Sequence, residues 1–211
     1  MQLSPDKSLV AALLLAAGSS RRFGEGNKLL ADLAGRPLIH WTAAAFVESR
    51  ASELLVVTGP DPEGVEMALA GLPVRFVHNP DHLAGMGGSV AAGVRALGAD
   101  CTGVLICPAD MPGITMTLVN ALIAAFEADG SRRIIRPVLP DGHPGHPVLW
   151  PRRHFQKLIE LRGPVGGRAL LSDLANEVDE ISWQDSAVAL DIDTPADLER
   201  YRRAKRQPHG S

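Results

Sequence analysis

Leu13-Leu14-Leu15-Ala16-Ala17-Gly18-Ser19-Ser20-Arg21-Arg22-Phe23-Gly24-Glu25-Gly26-Asn27-Lys28 decides how the rest of the chain is read. An apolar run from Leu9 to Ala16 stops at a segment holding three glycines, two serines, two arginines and a lysine. A buried strand thus delivers a donor-rich, cationic loop to one edge of a sheet. Small residues let backbone N–H groups approach a polyanion, and Arg and Lys neutralise it. The pattern predicts a seat for a nucleoside triphosphate. An ordinary β-to-α turn seldom needs this length or this density of glycine and guanidinium. Neither common phosphate-loop pattern fits: Lys28 is followed by Leu29, and no strand leads into Gly-x-Gly-x-x-Gly. A P-loop ATPase and an NAD-dependent dehydrogenase are therefore disfavoured.

Working outward, short apolar runs alternate with segments of helical period. Strands are predicted over Leu9–Ala16, Glu53–Thr58, Val74–His78, Gly103–Cys107 and Arg133–Val138, with weaker signals at Pro147–Trp150 and Val178–Trp183. Helices are predicted over Leu38–Glu48, Glu63–Ala70, Ser89–Leu97, Leu118–Ala128, Arg153–Glu160, Arg168–Asn176 and Ala196–Arg203. This rhythm implies an α/β, Rossmann-like, three-layer fold with a mainly parallel sheet. At 211 residues the chain has material for one large core. A single domain is expected over 9–204, with a flexible tail at 205–211. Residues 9–112 would mainly bind the nucleotide, and the Pro- and Gly-richer 113–204 mainly the acceptor. In such sheets ligands gather beyond the carboxyl ends of the strands, near a switch point in strand order.

Composition excludes several other classes. A net charge of −3 gives no general affinity for nucleic acid, and 4% aromatics leave few stacking platforms. No apolar run approaches membrane-spanning length, and the N-terminus lacks a signal-peptide layout. A cytoplasmic protein without nucleic-acid or membrane partners is expected. Cys101 and Cys107 suggest neither a disulfide framework nor a cysteine metal site, and Cys107 reads as a buried thiol.

Two further segments carry carboxylates. In Ile106-Cys107-Pro108-Ala109-Asp110-Met111-Pro112 a strand ends and presents Asp110 at the edge where the cationic loop lies. A lone Asp there is commonly a turn or cap residue, but Thr115 is available to cap the next helix. In Val188-Ala189-Leu190-Asp191-Ile192-Asp193-Thr194-Pro195-Ala196-Asp197, Asp191 and Asp193 share a side if the segment is extended. Helix N-terminal electrostatics accounts for Asp197. A hard Mg²⁺ bound to a triphosphate takes one or two protein carboxylates, with water and phosphate oxygens completing its shell. Asp110 and Asp193 are the expected pair.

The turn Asn79–Ser89 supplies Gly85 and Ser89 for close approach and hydrogen bonding to a base or ribose. His143 and His146 lie among prolines without a third ligand, which disfavours zinc. His146 is expected to contact the acceptor, whereas loop packing suffices for His143. Arg136, Arg152 and Arg168 read as solvated surface charge.

Together these segments resemble the MobA-like nucleotidyltransferase family, most closely its molybdenum cofactor cytidylyltransferase branch. The opening Leu-Ala-Ala-Gly-x-Ser-x-Arg-Phe-Gly pattern runs from Leu15 to Gly24, with Lys28 following. Gly85-Met86, Asp110 to Pro112, Gly145 to Val148 and Asp191 to Pro195 match in the family's order. Relatives often carry serines where this chain has Gly87 and Gly88.

The resemblance implies a nucleotide-diphospho-sugar transferase type of fold. It implies CMP transfer from CTP to a phosphorylated pterin, with Arg22, Lys28 and Asp110 as catalytic residues. Leu15, Ala16, Ala17, Gly18, Arg22, Lys28, Gly85, Ser89 and Asp110 would bind the nucleotide, and His146 and Asp193 the acceptor. Asp110 and Asp193 would hold Mg²⁺. Guanylyl-transferring relatives tend to carry glycine at the position of Ala17, whose methyl favours CTP by about 1–3 kcal/mol. A recipient molybdoenzyme or its chaperone is an implied partner, and a monomer or weak dimer the expected state. The alternatives are GTP or another NTP as donor, a sugar or polyol phosphate as acceptor, and a nucleotide-binding cofactor-delivery protein without turnover.

Overall fold

Alternation along β1 (Val10–Ala16) builds two cores at once. Val10, Ala12, Leu14 and Ala16 enter one cluster, while Ala11, Leu13 and the partly buried Leu15 enter the other. A strand buried on both faces is the mark of a central position in a helix-covered sheet. In the computed structural model, which describes residues 9–20, 23–24, 26–164 and 166–206, that is where β1 lies.

After β1 come a small hairpin, β2 (Asp32–Leu33) and β3 (Arg36–Pro37), then α1 (Leu38–Val47), β4 (Leu54–Thr58), α2 (Pro62–Ala68) and β5 (Val74–His78). The chain continues through α3 (Met86–Arg95), β6 (Gly103–Pro108), α4 (Met116–Ala128), β7 (Ile134–Val138) and β8 (Val148–Pro151). It closes with α5 (Phe155–Ile159), α6 (Arg168–Asp173), β9 (Val178–Ser182) and α7 (Pro195–Arg206).

The sheet order is β5-β4-β1-β6-β8-β7-β9. Strands β5, β4, β1 and β6 run parallel, β8 is antiparallel to both its neighbours, and β9 is parallel to β7. The single mainly parallel sheet is as expected. The order reverses direction at β1, so the carboxyl ends of β1 and β6 flank the switch point.

Residues from α1, α2 and α4 (Phe46, Val65, Leu118) fill one core, and residues from α3 and α5 (Val90, Leu158) the other. A third cluster joins α7 to the hairpin through Leu33, Leu38, Ile192, Leu198 and Tyr201. The hairpin went unforeseen because two-residue strands carry no periodicity. Its turn depends on Ala34 and Gly35, both at positive φ. Helix α3 begins three residues before the expected Ser89, since the glycines that suggested loop are its first turn. The first turn of the expected helix Arg153–Glu160 is a tight 3₁₀ turn over Arg152–His154. Thr115 caps α4 as expected, accepting from the Leu118 N–H.

Cys101 and Cys107 are free and buried, and burial pushes the Cys107 thiol well above its usual range, which leaves it unreactive. Among the described residues, no helix is long and apolar enough to cross a membrane.

Candidate active site

A cleft of about 740 Å³ opens at the carboxyl ends of β1 and β6. Its floor is built from three loops that meet on Lys28. The first is the cationic loop itself. Asn27 caps a tight turn, its side-chain oxygen accepting from the Leu29 N–H at 3.1 Å, while Ser20 Oγ accepts from the Lys28 N–H at 3.2 Å. Asn27 Nδ2 also donates to Asp61 Oδ2 at 3.2 Å, and Asp61 in turn caps α2. The loop is thereby fastened to the body of the protein.

The second loop follows β6. The Ala109 N–H donates to the Leu15 carbonyl at 3.1 Å, and the buried Thr42 hydroxyl donates to the Ala109 carbonyl at 3.1 Å. Asp110 is thus pinned at the strand end. The third loop precedes α7. It is not a strand, yet Ile192 is buried in the α7 cluster while Asp191 and Asp193 both line the cleft, as an extended segment would place them. Its Ile192 N–H donates to the Asp110 carbonyl at 3.0 Å, which ties the two acid-bearing loops together. Asp197 does more than answer the helix dipole. Thr194 Oγ1 accepts from the Asp197 N–H, and Asp197 Oδ2 accepts from the Thr194 N–H at 2.7 Å and the Asp193 N–H at 3.2 Å, a reciprocal cap.

On this frame Lys28 Nζ donates to Asp110 Oδ2 at 2.5 Å and to Asp193 Oδ1 at 2.7 Å. Burial alone would lower the ammonium's pKa, but Asp110 and Asp193 reverse that and hold it above the ordinary 10.5. Residues 12–179 match the family model of the MobA-like NTP transferase domain. The chain belongs to that family.

The chain is 30% identical over 207 residues to nicotine blue oxidoreductase of Paenarthrobacter nicotinovorans, covering 92% of this chain and 97% of that one. It is 28% identical over 199 residues to the molybdenum cofactor cytidylyltransferase of Escherichia coli, covering 92% and 98%. A solved structure of Rv0371c from Mycobacterium tuberculosis in complex with manganese superposes with a TM-score of 0.79 at 22% identity, covering 93% of this chain and all of that one. The nucleotide-diphospho-sugar transferase type of fold expected from the sequence is thus the one observed.

In this MobA-like chain most of the candidate residues meet at one cleft. Leu15, Ala17, Gly18, Lys28, Gly85, Ser89, Asp110, His146 and Asp193 all line the cleft. Strand alternation turns the Ala16 methyl into the core, which leaves its backbone to meet a ligand. Ser89 is buried and its hydroxyl accepts from Asn79 Nδ2 at 3.0 Å, so it braces the wall. Arg22 lies outside the described residues. Arg136 pairs with Glu180 at 2.5 Å, Arg152 donates to the Cys101 carbonyl at 2.9 Å, and exposed Arg168 is not on the cleft wall.

Several cleft residues lie beyond the named site candidates, among them His82, Leu83, Met86 and Pro164. They come from a tight turn and a Gly-Pro segment brought together by glycines. Gly85 has φ +112°, and a Cβ there would come within 2.5 Å of the Gly163 backbone. The Gly87 N–H donates to the Gly163 carbonyl at 3.0 Å, and a Gly87 Cβ would stand 2.9 Å from Arg162. Close packing against Arg162 therefore favours glycine at position 87.

His146 is half-buried on the wall. Burial pushes its pKa below 6.5, against the pull of Asp110 and Asp191, so the imidazole is neutral near pH 7. The unfolded chain takes up that proton near pH 6.5 and the folded chain only at a lower pH, so stability falls as the solution is acidified through that window. His146→Gln should flatten part of that slope in denaturant melts run from neutral to mildly acidic pH. An unchanged slope would show that His146 is free to protonate in the folded state.

Asp110 and Asp193 offer hard oxygen donors suited to Mg²⁺ or Mn²⁺. Asp110 Oδ1 is buried with no hydrogen-bond partner among the described residues, a donor that a cation would satisfy. No group of three or more His, Cys, Asp or Glu among those residues forms an all-protein cage. The pair therefore fits a metal whose remaining shell comes from phosphate and water.

Proximity of the acid loops depends on Gly113, where a Cβ would lie 2.0 Å from the Ala187 carbonyl oxygen. Gly113→Ala should destabilise the fold by about 1–3 kcal/mol through overpacking. It should also reduce activity by separating Asp110 from Asp193. Chemical denaturation and steady-state rates on the same preparation check both, and full activity in the variant would show that the loops tolerate separation.

Proposed function

We propose that this protein transfers the CMP group of CTP to the phosphate of a molybdenum-loaded molybdopterin, releasing pyrophosphate in a Mg²⁺-dependent reaction. The observation that carries this reading is the Lys28 ammonium held between Asp110 and Asp193 at the switch-point cleft. The full-length similarity to a molybdenum cofactor cytidylyltransferase supports the acceptor.

An oxygen of the acceptor phosphate attacks the α-phosphorus of CTP, and the bond to the β-phosphate oxygen breaks. A phosphate monoester with a second pKa of about 6 is mostly dianionic near neutrality and needs no general base. The neutral His146 is consistent with an orienting contact instead. The chemistry needs relief of charge repulsion and in-line placement. Lys28 would sit on the phosphates, joined by Arg22. Asp110 and Asp193 would hold Mg²⁺, which when bound neutralises phosphate charge and orients the oxygens. Leu15, Ala17, Gly18 and Gly85 would seat the nucleoside within the 9–112 half, with the Ala17 methyl favouring cytosine. The 113–204 half would take the pterin against His146 and Asp193, and a molybdoenzyme or its chaperone would receive the product.

A thermal-shift panel of CTP, GTP, ATP and UTP with Mg²⁺ tests the donor. A ligand at a hundred times its Kd adds about 2.7 kcal/mol of apparent stability, so CTP should raise Tm most. Equal shifts for all four would remove the cytosine preference. Pyrophosphate release with CTP and molybdopterin tests the transfer. The similarity to nicotine blue oxidoreductase favours a second reading, an oxidoreductase acting on a compound of that kind. Reduction of nicotine blue by an added hydride donor, with no nucleoside triphosphate present, would establish that reading in place of transfer.

A further inference from the structure

One ammonium serves two carboxylates at the cleft floor. Lys28 Nζ contacts an oxygen of each, and the three side chains are only 13%, 15% and 23% exposed. Water screens such a cluster poorly, so each charge strongly conditions the binding of another. Ser20 Oγ holds the Lys28 N–H, and Asn27, itself held by Asp61, holds the adjacent Leu29 N–H. Its flexible four-carbon stem can still carry the ammonium to a new anion without moving the loop.

Resting on the metal assignment proposed above, we infer that Lys28 is a resident counter-ion that competes with the divalent cation for Asp110 and Asp193. It yields them when a polyphosphate offers the ammonium another partner. A cation arriving alone meets carboxylates already paired with Lys28, and like charges within a few ångströms repel. A triphosphate takes the ammonium onto its own oxygens and frees Asp110, whose Oδ1 has no partner among the described residues, for the metal. Metal and nucleotide therefore load together, and linkage requires that each strengthens the other's binding equally. The device makes a half-filled site the minor species.

The test is a Mn²⁺ titration of nucleotide-free protein, followed by the electron paramagnetic resonance signal of the free ion. Lys28→Met should bind Mn²⁺ about tenfold more tightly than wild type, the scale of one removed like charge in a partly buried site. Adding Asp110→Asn to Lys28→Met should return the affinity to the wild-type level. Binding by Lys28→Met no tighter than wild type overturns the competition. Tighter binding that survives Asp110→Asn would instead place the metal elsewhere and retire the metal assignment itself. Lys28→Gln serves as a second neutral variant. Wild-type protein with ¹⁵N-labelled lysine gives a measurement that needs no variant: CTP added without metal should shift the ammonium resonance of Lys28. Saturation by CTP with that resonance unmoved would also overturn the proposal.

Discussion

Lys28→Ala should lower kcat/KM for nucleotidyl transfer by about a hundred- to a thousandfold, the usual cost of removing one group that stabilises transition-state charge. The fold should lose much less. The side chain is partly buried with both partners on short contacts. Its removal takes the shared ammonium from Asp110 and Asp193 at a cost between that of surface and fully buried ion pairs, about 1–3 kcal/mol. Steady-state rates and urea melts on the same sample separate the two effects. A variant with normal turnover and normal stability would take Lys28 out of the site. The pH dependence provides a second check. Because the ammonium's folded pKa is raised above 10.5, its contribution to stability is complete below 10.5 and is lost as pH rises through that raised value. The stability gap between wild type and Lys28→Ala should therefore stay constant up to pH 10.5 and close above it.

Asp110→Asn should remove metal-dependent transfer almost entirely, again by about a thousandfold or more in kcat. The substitution keeps the side chain's shape but removes a full charge from the proposed metal pair and from Lys28. The loop should hold, because none of the contacts that fix it uses the Asp110 carboxylate: the Ala109 N–H donates to the Leu15 carbonyl, the Ile192 N–H to the Asp110 carbonyl, and the Thr42 hydroxyl to the Ala109 carbonyl. Far-UV circular dichroism should be unchanged while chelation of Mg²⁺ has little activity left to abolish. Rates that match wild type across a metal titration would clear Asp110 of any part in binding the ion.

Much of the fold was legible because its signals are local. Val10 to Ala16 alternate between two cores, and each main strand is an apolar run ended by polar or glycine-rich sequence. Thr115, Pro195 and Asp197 announce helix starts by chemistry that acts within one turn. The hairpin and the early start of α3 were not legible in the same way. Gly87 looks like loop until Arg162 and Gly163 are seen against it, and a contact across that many residues leaves no periodicity behind.

The sequence alone determined an α/β sheet that brings a cationic, glycine-rich loop to one edge, with acids at the ends of two later segments. It also singled out Lys28, Asp110 and Asp193 as candidate site residues. Only the tertiary structure decided that Lys28 would meet partners 82 and 165 positions away, at hydrogen-bonding distance from both. Local propensities cannot carry that information. It is set by strand order, which seats β1 beside β6, and by backbone contacts at Ile192 and Gly113 that draw the last loop onto the second.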